Sequence, residues 1–165
     1  MYYFALIDTE TTWSGELMTV GVLIVDKWSF EIANYRYYVV EEALFEGGMY
    51  SNKVHMKGLN EIVVSNKTVQ EEIHEYLRAN GVNTIFAYNA TFDRRCLPGL
   101  SRYRWHDIMR LAAYKQYNPA ITDAMPCHST GRLKSGYSVE GIMRMFGKRQ
   151  YQEMIIPGWR SHPIR

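Results

Sequence analysis

The sequence predicts one mixed α/β domain, with a five-stranded sheet that opens as an antiparallel meander and is flanked by helices. Three observations predict it. Apolar, β-branched runs with short connections fill about the first forty residues. From Thr68 onward, helical periodicities alternate with short strand-like runs, giving the order βββ-α-β-α-β-α-α. No linker-like stretch divides the 165 residues, a length that suits one domain with a proper core.

The first strand is Phe4-Ala5-Leu6-Ile7, a continuous apolar run of the kind buried on both faces, leading into Asp8-Thr9-Glu10-Thr11-Thr12. Leu17 to Val25 is a second run, ended by Asp26-Lys27, and the tyrosine-rich alternation over Ile32 to Val40 is a third. Glu41 to Lys67 is mixed and reads as loop with one short helix. Thr68-Val69-Gln70-Glu71 is a capping box, and Val69, Ile73, Tyr76 and Leu77 share one helical face until Asn80-Gly81 ends the helix. Thr84 to Tyr88 reads as a short strand, and Ala90 to Cys96 begins a helix. Trp105-His106-Asp107 leads into an amphipathic helix over Ile108 to Tyr117, capped by Asp107. A long connection over 118–136 precedes a last helix from Ser138 to Phe146, closed by Gly147.

Composition excludes several classes. The chain is 47% hydrophobic and 22% charged, with a formal net charge of +2, which neither demands nor opposes a nucleic-acid partner. Cys96 and Cys127 form no CxxC or finger spacing, and no run approaches a membrane span. A soluble, cytoplasmic protein with no membrane association is expected. His55, His74, His106 and His128 make no metal-binding pair, and His74, next to Ile73 on its helix, is expected in solvent.

Asp8 and Glu10 are spaced i, i+2, so on a strand they point to the same side and repel unless a cation compensates them. A divalent metal would do so; a polar loop after a strand is the plain alternative. A second cluster, Tyr88-Asn89-Ala90-Thr91-Phe92-Asp93, puts Asp93 in the first turn of a helix that follows a strand. Ligands gather at such strand ends, although an isolated Asp there is also favoured by the helix dipole.

IDTETT, followed about eighty residues further on by AYNATFDRRCL, resembles motifs I and II of the DEDD 3′–5′ exonuclease superfamily, to which the proofreading exonucleases of bacterial DNA polymerases belong. Val54 to Leu59 is similar to a His-Gly-Ile segment of that family, and Thr130 to Gly147 resembles the helix before motif III. The resemblance, to the DEDDh branch, implies a ribonuclease-H-like fold and hydrolysis of the terminal phosphodiester of single-stranded DNA or RNA 3′ ends, with a polymerase-type partner also in view. It implies two Mg²⁺ or Mn²⁺ ions roughly 4 Å apart, held by hard carboxylate oxygens. Asp8, Glu10 and Asp93 match three of the four family carboxylates. The resemblance places Thr11 at the terminal 3′ hydroxyl, and gives Asn89 and Phe92 positioning or packing roles. Trp13 is placed to stack on a terminal base or to cover the core edge, while Arg94-Arg95, Arg102-Arg104 and Arg132-Lys134 are basic pairs that could meet phosphates.

Motif III departs from the pattern. The family places a His near Ile155 and an Asp near Arg160, and neither stands there; a looser alignment takes His162 as the base and leaves its Asp beyond Arg165. The region of about 150–165 is therefore atypical or truncated, and two prolines and a glycine oppose a helix there. An inactivated exonuclease relative that binds nucleic acid or a polymerase partner is the competing expectation. Asp107 and Asp123 are the spare acids that could rebuild the site.

Overall fold

The structure, a computed structural model, describes residues 2–48, 54, 55 and 60–148. Its sheet has six strands: β1 (Tyr3–Thr11), β2 (Leu17–Asp26), β3 (Ile32–Val40), β4 (Glu61–Val64), β5 (Thr84–Ala87) and β6 (Arg104–Asp107). Their order is β4-β3-β2-β1-β5-β6. β1, β2 and β3 form the expected antiparallel meander, while β4 joins β3, and β5 and β6 extend from β1, in parallel. The helices are α1 (Val69–Ala79), α2 (Ala90–Cys96), α3 (Ile108–Ala113) and α4 (Val139–Met145).

β4 is the strand beyond the five expected. Glu61-Ile62-Val63-Val64 falls within the Glu41 to Lys67 stretch that reads as loop, and it forms by pairing with Tyr37 to Val40. The reading of β1 as buried on both faces is corrected. Ala5, Ile7 and Thr9 are buried, whereas Phe4 and Leu6 are half-buried and Asp8 is exposed. The strand buried throughout its apolar run is β2, which is hydrogen-bonded on both sides.

One sheet face carries the core. Val69, Ile73, Tyr76 and Leu77 of α1 bury against it with Leu97 and Leu100, as the apolar spacing of that helix requires. The capping box does not form: Thr68 sits at the N-cap without a side-chain cap bond, and its hydroxyl meets Ser65 Oγ at 2.9 Å. Gly81 follows the helix at φ +64, a conformation that favours glycine. α3 stops at Ala113 rather than Tyr117, because Tyr114 turns extended and bridges to Arg132. A second core of Met109, Ala113, Ile121, Leu133 and Ile142 joins α3 to α4. On the other sheet face, Phe4, Leu6, Leu23, Phe86 and Leu111 line an open apolar trough of about 840 Å³.

Candidate active site at the carboxyl edge of the parallel strands

β1, β5 and β6 run parallel, so their carboxyl ends share one edge of the sheet. That edge carries the acids: Asp8 and Glu10 near the end of β1, Asp93 on the helix after β5, and Asp107 closing β6. Edges of this kind are where α/β sheets bind ligands, since helices and loops leave a crevice there.

Asp8 and Glu10 lie on one face of β1, as their spacing requires. Opposite them on β2 stand Gly21, which has no side chain, and Thr19. Across Gly21 on β3 is Tyr37, and across Tyr37 on β4 is Glu61. The Tyr37 hydroxyl donates to the Val54 carbonyl oxygen at 3.1 Å. Burial raises its pKa, Thr19 draws it back, and the carboxylates of Glu61, Glu10 and Asp8 push it further up. Glu61 in turn meets His55 Nδ1 at 2.8 Å. Tyr37 and Glu61 had no signal in the sequence, because strand register alone brings them to this face.

Asp93 is held differently. It is 2% exposed, and its Oδ1 accepts from the Thr9 N–H at 3.0 Å and the Thr9 hydroxyl at 2.8 Å. Thr9 points to the core face, opposite Asp8 and Glu10. β5 pairs with β1 only at Ala5 and Leu6, so the Thr9 N–H lies beyond β5, and Asp93 satisfies it. Burial pushes the Asp93 carboxyl up to about 6; the Thr9 hydroxyl and backbone N–H groups draw it back, and the Asp107 carboxylate adds to the rise.

The donor set is right in kind for a hard divalent ion, since Asp8 and Glu10 are adjacent carboxylates. It is not assembled in number. Among the described residues, no three His, Cys, Asp or Glu side chains come together to hold a metal. The described residues do not by themselves make a two-ion site.

Each of the spare acids already has a partner. Asp107 caps α3 as expected, its Oδ1 accepting from Met109 N at 2.9 Å and from Asn89 N at 3.0 Å. Asp123 pairs with Lys115. Asn89 stands in the left-handed region at φ 65 and starts α2, while Phe92 lies under the Arg95 guanidinium at 5.5 Å. Thr11 is half-buried beside a register shift in β1, and Trp13 is 71% exposed, its N–H bound to the Gly47 carbonyl at 3.2 Å. His74 is not solvent-directed: its Nδ1 meets the Tyr103 hydroxyl at 2.7 Å. His162, Met56 to Leu59 and the motif III region of 150–165 lie outside the described residues.

No protein-family model and no curated protein matches the sequence. Solved structures do match in three dimensions. An Exonuclease I from Methylocaldum szegediense superimposes over 93% of this chain with a TM-score of 0.51 at 15% identity. The fold is that of the ribonuclease-H-like exonucleases. The chain spans 37% of the length of that Exonuclease I. The nuclease domain of 3'hExo, a DEDDh family member bound to rAMP, matches 67% of this chain and 68% of its own at 14% identity, with a TM-score of 0.45. Among the described residues, no helix is long and apolar enough to cross a membrane.

Proposed function

We propose that this chain is a metal-dependent 3′–5′ exonuclease domain acting on single-stranded DNA or RNA ends, with the strand end seated at the carboxyl edge of β1. The observation that carries this reading is the Asp8–Glu10 pair, two carboxylates on one strand face at a ligand-binding edge of an exonuclease fold. Asp8 and Glu10 would hold Mg²⁺ or Mn²⁺, with Asp93, whose Oδ1 is bonded to Thr9, offering its second carboxylate oxygen. A bound ion would supply charge neutralisation and an activated water. In this reading Thr11 would meet the terminal sugar and the exposed Trp13 ring the terminal base, with Asn89 and Phe92 positioned in the turn that starts α2. His162 is the candidate base that the sequence offers.

A second reading, an exonuclease-like module that binds nucleic acid or a polymerase-type partner without cleaving, is favoured by the commitment of Asp93 to Thr9. One experiment separates them. A 5′-labelled single-stranded oligonucleotide is incubated with the protein and Mn²⁺, beside EDTA and Asp8→Ala controls. A ladder shortening from the 3′ end, lost with EDTA and reduced at least about 100-fold in the variant, supports the exonuclease. Binding by folded protein with no ladder leaves the second reading.

A further inference from the structure

Helix α2 has two working faces. Ala90 and Asp93 turn inward to the sheet, while Thr91 and Arg94, also three apart, turn outward. Arg94 and Thr91 border a groove of about 580 Å³ whose other walls include His106, Asp107, Arg110 and Tyr117. A neighbouring groove of about 390 Å³ shares Thr91, Asp107, Arg110 and Tyr117 and carries the trough on to Gln116 and Thr130.

Among the described residues neither Arg94 nor Arg110 has an ion pair. Asp107, the carboxylate lining both grooves, has its Oδ1 engaged by the N–H groups of Asn89 and Met109. Two guanidinium groups thus border one concave surface, an arrangement suited to an anion with several oxygens. The trough is also aromatic. The His106 ring stacks on Phe86 with centroids 5.0 Å apart, and Tyr117 is 54% exposed. Paired arginines beside flat rings suit a phosphate backbone carrying bases better than an acidic peptide.

We propose that the trough between α2, β6 and α3 binds the body of a single-stranded nucleic acid, with Arg94 and Arg110 on successive phosphates and Tyr117 or His106 against a base. Thr91 and Arg94 of the trough share helix α2 with Asp93, so the proposal rests on the reading of the β1 edge as the site of the strand end. It deepens that reading by naming where the strand runs upstream of it.

The test is fluorescence anisotropy with a labelled oligothymidylate 12-mer, in EDTA, across a salt series. Both arginines are exposed, so Arg94→Ala/Arg110→Ala leaves the core untouched. The double variant is expected to bind at least about tenfold more weakly, with a salt slope shallower by about 1.4, the value for two lost single-strand phosphate contacts. Lys67→Ala/Arg78→Ala, which removes the same charge on and just before α1, is expected to change neither by comparable amounts. Equal affinity and slope in parent and Arg94→Ala/Arg110→Ala protein overturn the proposal, as does equally effective competition by polyglutamate. A trough-dependent 12-mer complex in a protein that yields no Mn²⁺-dependent ladder sinks the cleavage reading and leaves the trough standing. A ladder that survives the double variant with unchanged binding does the reverse.

Discussion

At the scale of single residues, Asp93 is pulled in two directions. Its hydrogen bonds from Thr9 favour the carboxylate, while its burial favours the neutral acid, and burial wins by lifting the group from an ordinary 3.8 to about 6. The folded state therefore holds more protons than the unfolded state between those values. Stability falls as pH rises from about 4 to 6, by about 2 to 3 kcal/mol for this group alone. Asp93→Asn keeps an acceptor for the Thr9 N–H and loses the ionisation. Urea unfolding at pH 4 and pH 7 should show the variant gaining on the parent protein as pH rises; parallel curves would contradict this account. Thr9→Val removes a hydroxyl bonded to a carboxylate and should cost about 1.5 to 3 kcal/mol. It should also raise the Asp93 pKa further, measurable by NMR titration. The carboxylates themselves were legible in the chain, as DxE and NxxFD. The Asp93–Thr9 bond was not, because it joins residues 84 apart and depends on where β5 stops.

At the scale of elements, two joints aim the site. Asp107 links the start of α3 to the left-handed Asn89 turn that starts α2. Asp107→Ala should cost about 1 to 2 kcal/mol, read from the urea midpoint, while Asp107→Asn, which keeps Oδ1, restores most of it. The second joint clamps the loop after β1. The Thr12 hydroxyl meets Ser14 Oγ at 2.8 Å, Ser14 Oγ donates to Glu46 at 2.7 Å, and Trp13 N–H reaches Gly47. Gly48 packs so closely that an added Cβ would stand 2.7 Å from the Thr11 carbonyl oxygen. Gly48→Ala should therefore destabilise the protein by about 1 to 3 kcal/mol and shift Trp13 fluorescence. An unchanged melting temperature and spectrum would refute the close approach. The bounds of α1 followed from apolar spacing and the Asn80-Gly81 stop and the end of α4 from Gly147, while Ala90 to Cys96 was legible only as the beginning of a helix. The early end of α3 did not, because the Tyr114–Arg132 bridge that ends it is a tertiary contact.

At the scale of the whole molecule, the sheet is a locally folded meander extended by parallel strands that return from far along the chain. β2 is hydrogen-bonded on both sides and buried, whereas β4 and β6 are short edges. Native-state amide exchange should be slowest in β2, with β4 and β6 opening at lower free energy. Protection in β4 equal to that in β2 would mean that the edge is covered by something beyond the described residues.

The sequence by itself determined the α/β class, the meander, most helices and the placing of Asp8 and Glu10 on one face. All of these follow from periodicities of two and 3.6 residues and from local turn chemistry. Tertiary structure alone decided the sixth strand, the Tyr37–Glu61 neighbourhood of the carboxylates, the turning of Asp93 to Thr9 and the pairing of Arg94 with Arg110 across a groove. Each depends on strand register or helix placement between residues far apart in the chain, and local periodicity carries no information about either.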